Sequence, residues 1–173
     1  MTEIEVKIKI KSLTSLFQQL ETLGAQKIKE KYYETNTLYD FPSQELLQKR
    51  SALRVRKINK KCFLTYKGPP QPSRSFKIRE EYETEVKNEK QLRKILKKLG
   101  LKQTFTYAKY RTVYRYQRLK IFVDETPIGN FIELEGKQSD IVKIAKLLGY
   151  SRRDFIKKDY IQLIKEAKNN SQK

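Results

Sequence analysis

Glu3, Glu5 and Lys7 stand two residues apart in a stretch where Ile4, Val6, Ile8 and Ile10 fill the alternate positions. A period of two is that of a β-strand, so the carboxylates and the ammonium share one face and the aliphatic side chains the other. Paired carboxylates offer hard oxygen donors to a divalent cation, and the neighbouring lysine offers a counter-charge to phosphate. The first strand therefore presents metal-binding and phosphate-binding side chains on one face. The pattern recurs at Arg54/Arg56, Thr65/Lys67, Lys77/Arg79/Glu81/Glu83/Glu85, Lys109/Arg111 and Glu133/Glu135. The positions between them are apolar, as in Leu53/Val55, Leu64 and Ile132/Leu134.

Any one such strand is most simply half-buried with a solvated charged face, since antiparallel sheets commonly meet water on one side. Six strands of this kind point instead to a shared charged interior, which a closed barrel can hold if it admits water, ions and ligand. The four glutamates of the two pairs Glu3/Glu5 and Glu133/Glu135 suit Mg²⁺ or Mn²⁺. Arginine supplies bidentate contacts to phosphate and lysine a mobile point charge. The chain has no histidine, so proton transfer falls to a carboxylate, a metal-bound hydroxide or solvent.

The elements that position these residues are legible in outline. Residues 2–10 read as a strand, followed by a helix with Ser12 as N-cap, Leu13, Leu16, Phe17, Leu20 and Leu23 at helical spacing, and Gly24 as terminator. Strands are expected over 26–39, 52–58 and 62–67, with a short helical turn near Leu46 and Leu47 and a turn at Asn59-Lys60-Lys61. Gly68 to Ser73 breaks regular structure. A strand over 76–86 and a helix capped by Asn88 and ended by Gly100 come next. Strands over 103–117, 119–125 and 130–136, with a turn at Pro127–Asn130, lead to helices at 139–148 and 159–167. Three helices end in Leu-Gly, which hints at a duplication without showing one. Strands outnumber helices and lack regular helical crossovers, which excludes a doubly wound parallel sheet.

Composition sets the outer bounds. The chain has 173 residues, 39 Lys+Arg against 20 Asp+Glu, a net charge of +19 and a single cysteine, Cys62. The length suits one domain, expected over 1–167, with a polar, frayed tail at 168–173. One cysteine excludes an internal disulfide and a cysteine zinc site. No apolar run approaches the ~20 residues of a membrane helix, and a cytoplasmic location is the natural reading. The charge calls for a polyanionic partner: nucleic acid, anionic lipid, polyphosphate or a highly charged small substrate. Excess lysine over 87–102 and 143–158 is expected to form basic helix surfaces.

Assembled in order, these motifs resemble the CYTH superfamily, the triphosphate tunnel metalloenzymes. Glu3-x-Glu5-x-Lys7 is followed by Leu53-Arg54-Val55-Arg56, Leu64-Thr65-Tyr66-Lys67-Gly68, Arg79-Glu80-Glu81-Tyr82-Glu83, Lys109-Tyr110-Arg111, Val123-Asp124-Glu125, Phe131-Ile132-Glu133-Leu134-Glu135 and Lys158-Asp159-Tyr160-Ile161. The resemblance implies an α+β fold, an eight-stranded antiparallel β-barrel or tunnel with helices packed outside. It implies Glu3, Glu5, Glu133 and Glu135 as metal ligands, with Asp124 near them, and a catalytic set of Glu3, Glu5, Lys7, Asp124, Glu133 and Glu135. Lys7, Arg54, Arg56, Lys67, Arg79, Lys109, Arg111 and Lys158 match phosphate-binding positions, and Glu81 and Glu83 an opposite acidic wall. A surface role for Lys158 and an Arg79–Glu81 wall contact are the alternatives to phosphate binding at those positions.

The implied partner is a triphosphate: ATP, inorganic triphosphate or thiamine triphosphate. A class IV adenylyl cyclase, forming cyclic AMP and pyrophosphate, is the leading expectation. A triphosphatase using the same residues is the second, and a non-catalytic polyphosphate or RNA binder the third. No specific nucleic-acid partner is expected, and a homodimer is compatible with the sequence.

Overall fold

The structure, a computed structural model, describes residues 2–170. Its strands are β1 (Thr2–Ile10), β2 (Gln26–Asp40), β3 (Ala52–Ile58), β4 (Lys61–Lys67), β5 (Lys77–Val86), β6 (Lys102–Tyr116), β7 (Leu119–Thr126) and β8 (Gly129–Glu135). Its helices are α1 (Leu13–Thr22), α2 (Glu45–Gln48), α3 (Glu89–Lys98), α4 (Gln138–Leu147) and α5 (Tyr160–Asn170), with a short 3₁₀ turn at Arg152–Asp154. The sheet is a closed barrel in the order β1-β5-β4-β3-β2-β6-β7-β8. The expected eight-stranded barrel is the one observed.

Local chemistry explains the boundaries. The Ser12 side chain accepts from the Ser15 amide and Asn88 from the Gln91 amide, so α1 and α3 start where a short polar residue can take an orphan N–H. Gly24 ends α1 at φ 76°, and Gly100 and Gly149 repeat the device at φ 88° and 82°. In each case the following amide returns to a carbonyl in the last turn: Ala25 to Leu20, Leu101 to Leu96, Tyr150 to Ala145. The Leu-Gly echo is therefore a shared way of stopping a helix. Two expected turns are tighter than the sequence indicated. Lys61 already pairs with Ile58 and Gly129 with Thr126, leaving only Asn59-Lys60 and Pro127-Ile128 in the turns. The polar tail is partly corrected: Lys168 to Asn170 continue α5, and residues 171–173 lie outside the described region.

Two compact units are distinguished. One comprises Tyr33–Pro72 and Ile78–Ala108 with the beginning of β1 through Glu3. The other comprises Ile4–Tyr32, Ser73–Lys77 and the chain from Lys109 onward. In the first, Tyr39, Val55 and Cys62 from the strands pack with Leu92 and Leu96 of α3 and with Leu101. This helix covers the apolar strand face, so Arg54, Thr65 and Glu83, in register across β3, β4 and β5, face the other way. In the second unit the apolar face runs Val6, Leu134, Ile121, Tyr114 in register, and the first three are at most 1% exposed. Burying these aliphatic side chains at ~25 cal/mol per Å² is the dominant favourable term holding the strands, and it fixes which face carries the charges. Among the described residues no helix is long and apolar enough to cross a membrane.

Candidate active site

In the second unit the charged face is a buried ion network. Lys7 on β1 lies opposite Glu133 on β8, and its ammonium donates to Glu133 Oε1 at 2.5 Å. Glu133 Oε2 accepts from Arg111 Nη2. Arg111 on β6 faces Asp124 on β7 and grips it with two bonds, Nε to Oδ1 and Nη2 to Oδ2, both 2.6 Å. Asp124 Oδ2 also accepts from Lys109 Nζ at 2.7 Å and from the Tyr160 hydroxyl at 2.6 Å. Asp124 is 0% exposed and Lys7 and Lys109 are 4%. Ions this deeply buried persist only when paired and hydrogen-bonded.

The electrostatics follow from this pairing. Burial favours the neutral form of Lys7, but Glu133, Glu5 and Asp124 outweigh it and hold the ammonium above the ordinary lysine range. Burial likewise favours neutral Glu133, but Lys7, Lys109 and Arg111 hold it well below the usual carboxylate range. Burial, with the adjacent Asp124 and Glu133 charges, pushes the Tyr160 phenol well above its usual value, so it stays a donor.

The first unit carries a second network. Arg56 Nη2 lies 2.6 Å from both Glu83 oxygens, and Thr65 Oγ1 donates to Glu83 Oε2 at 2.6 Å. Arg54 Nη2 is 3.7 Å from Glu81 and 3.6 Å from Glu83. Lys67 Nζ bridges Glu81 at 2.6 Å and Glu3 at 2.7 Å. Burial would raise the Glu81 carboxyl, but Lys67, a hydrogen bond shared with Glu3, and Arg54 lower it. The Nε donors of Arg54 and Arg56 are buried and meet no acceptor among the described residues. A buried unmatched donor costs ~1–3 kcal/mol, and on a guanidinium an anionic oxygen is its natural complement.

A hard divalent cation fits the oxygen donors near the β1–β8 ladder. Glu5 lies directly opposite Glu135, with Glu133 one step along the same face. Like charges so placed repel unless a cation attends them. Here Lys77 Nζ lies 3.3 Å from Glu5 and Lys120 Nζ 2.9 Å from Glu135. Among the described residues no three acidic side chains converge into a ready-made ligand shell. A metal would therefore exchange places with these ammoniums.

The structure brings most of the sequence-derived residues into the two networks. Lys7, Lys109, Arg111, Asp124 and Glu133 meet in one, and Glu3, Arg54, Arg56, Lys67, Glu81 and Glu83 in the other. Two basic residues are placed differently. Lys158, with a side chain 52% exposed, pairs with Glu166 of α5 rather than joining the Lys7 network. Arg79 is 5% exposed and donates to main-chain carbonyls, Nε to Gly68 at 2.6 Å and Nη2 to Arg50 at 2.8 Å and Lys67 at 3.4 Å. It ties the ends of β3 and β4 to β5. Arg79→Lys, which keeps the charge but loses the planar fork, is expected to lower stability by about 2 kcal/mol in urea unfolding.

Sequence reading missed the role of Tyr160. A lone tyrosine opening an amphipathic helix has no spacing signal, and only the fold carries it to Asp124. Lys77 and Lys120 as partners of Glu5 and Glu135 were equally hidden, because cross-strand neighbours depend on register rather than on sequence distance.

Comparison with known proteins agrees with this geometry. A Methanocaldococcus jannaschii protein named "putative adenylate cyclase" is 33% identical over 94% of this chain and 98% of its own length. The structure of the Pyrococcus horikoshii protein PH1819 is 26% identical, over 95% of this chain and 99% of its own, and superposes with a TM-score of 0.81. A Hippeastrum protein described as having a dominant triphosphatase activity shares the fold at a TM-score of 0.71 and 21% identity, over 95% of this chain and 96% of its own. The CYTH domain profile matches residues 1–161, and the chain belongs to the CYTH domain family.

Proposed function

We propose that this chain is a divalent-metal-dependent enzyme acting on a triphosphate, with cyclisation of ATP to cyclic AMP and pyrophosphate as its reaction. The observation that carries the reading is the pair of buried guanidinium Nε donors, on Arg54 and Arg56, that no acceptor meets. Phosphoryl and nucleotidyl transfer rely on positioning and charge neutralisation, which a wall of fixed cations supplies. Lys7, Lys109 and Arg111 in one network and Arg54, Arg56 and Lys67 in the other are the proposed phosphate-binding cations. Glu5, Glu133 and Glu135 would hold the metal, and Glu3 is assigned with them from the family resemblance. The bound ion would supply charge neutralisation and acidify a hydroxyl or water. Asp124, saturated by Lys109, Arg111 and Tyr160, acts as their orienting counter-ion.

In cyclisation the ribose 3′-hydroxyl would give up its proton to a carboxylate or solvent, its oxygen would bond to the α-phosphorus as the bond from that phosphorus to the bridging oxygen breaks, and pyrophosphate would leave as its charge meets the arginines and lysines. The 33%-identical relative named "putative adenylate cyclase" supports this choice. One observation favours hydrolysis as a second reading. The rings of Phe63, Phe122 and Tyr160 in these networks each hold a cation, Arg56, Arg111 and the Lys7 and Lys109 ammoniums, a use that competes with stacking on a base. Incubation with ATP and, separately, with inorganic triphosphate, each with Mg²⁺ or Mn²⁺, distinguishes the two by product. Cyclic AMP with pyrophosphate is expected from ATP. Orthophosphate release from inorganic triphosphate without cyclic AMP from ATP makes the enzyme a hydrolase. Turnover of neither substrate sinks the enzymatic reading.

A further inference from the structure

The segment leading into α5 grips one residue of the network twice. Lys7 N donates to the Ile156 carbonyl at 3.2 Å, and Ile156 N donates to the Lys7 carbonyl at 2.7 Å. Four residues on, the Tyr160 ring receives the Lys7 ammonium at 4.3 Å from its centroid and the Lys109 ammonium at 4.4 Å. Phe131 of β8 meets that ring edge-on at 5.6 Å and 81°, which fixes its plane. The phenol hydroxyl reaches Asp124 at 2.6 Å. Tyr160 is 4% exposed, so this arrangement is built into the interior.

Each ammonium already has a carboxylate partner, Lys7 in Glu133 and Lys109 in Asp124, so a further carboxylate between them would only add negative charge beside a phosphate. An aromatic face attracts cations through its quadrupole while carrying no charge of its own. We propose that Tyr160 is a positioning residue whose ring gathers the Lys7 and Lys109 ammoniums, each also paired with a carboxylate, against one surface while its hydroxyl fixes Asp124, so that both cations are set for a phosphoryl group. The proposal rests on the triphosphate reading of the site and adds a residue outside the cation and carboxylate sets.

The test replaces Tyr160 with phenylalanine and then with a series of increasingly fluorinated phenylalanines. Shape is kept and the negative ring face is withdrawn step by step. Two quantities are read: the rate at which an amine-acylating reagent modifies Lys7 and Lys109, by peptide mass spectrometry, and the affinity for inorganic triphosphate without metal, by calorimetry. Tyr160→Phe, which removes the hydroxyl donated to Asp124, is the reference from which the series is read. Across the series the acylation rates should rise and the affinity fall by about tenfold in total, the scale of two modest cation–π contacts. Acylation rates that stay flat along the series overturn the positioning role. Should acylation follow the series while the parent itself fails to bind inorganic triphosphate, the triphosphate reading fails and the ammonium-holding role stands.

Discussion

Asp124→Ala is expected to lower unfolding free energy by about 3–5 kcal/mol, the range for removing one partner from a buried ion pair. The carboxylate is 0% exposed and takes the Arg111 fork, the Lys109 ammonium and the Tyr160 hydroxyl. Its loss leaves two buried cations short of counter-charge and a phenol without its acceptor. Replacement by a well-packed apolar group would not help, because the cations remain. Asp124→Asn keeps the shape and one acceptor oxygen, so it should cost less than alanine and more than a surface change. Urea unfolding of both variants at neutral pH measures this. A loss below about 1 kcal/mol for the alanine variant, typical of an exposed pair, would show that the network contributes little.

Glu133→Gln should split binding from turnover. Glu133 neutralises Lys7 and Arg111 and shares its face with Glu5 and Glu135. Glutamine retains an acceptor for one cation but removes the negative charge and a strong hard-ion ligand. Affinity for inorganic triphosphate without metal is expected to rise roughly tenfold, because one repulsive charge beside the anion is gone. Metal-dependent turnover of the preferred triphosphate is expected to fall about 100-fold or more, the scale on which preorganised charge acts at a reacting centre. Calorimetry without metal and initial rates with Mg²⁺ or Mn²⁺ read the two effects separately. If affinity and turnover fall together, Glu133 is serving as scaffold for Lys7 and Arg111 alone.

Much of the fold was legible because the chain writes its faces plainly. Ile4, Val6, Ile8 and Ile10 against Glu3, Glu5, Lys7 and Lys9 admit only one orientation of β1, and the same holds for β3 and β8. The caps at Ser12 and Asn88 and the terminators at Gly24, Gly100 and Gly149 were readable from residue type. What sequence could not provide was register. That Lys7 faces Glu133, and Glu5 faces Glu135, depends on how β1 slides along β8. The cation set shows the same limit. Arg111 and Arg79 read alike as basic residues on strands, yet one holds two carboxylates and the other laces main-chain carbonyls. Lys158 read as a site residue from its motif, whereas its neighbour Tyr160 is the member of that motif that enters the network.

The pairing of the first strand with the last has a consequence for synthesis. β1 leaves the ribosome well before its ladder partner β8 and the Ile156 bridge, since Lys7 and Glu133 are 126 residues apart. Loop-closure entropy across that separation must be met before those contacts form, and such distant pairings slow folding. Until then Lys7 has neither Glu133 nor Tyr160 beside it. A nascent chain is therefore without a completed cation network until the segment through Tyr160 has been made. Truncation anywhere before Tyr160 should leave a chain that lacks the finished site however well its earlier elements form.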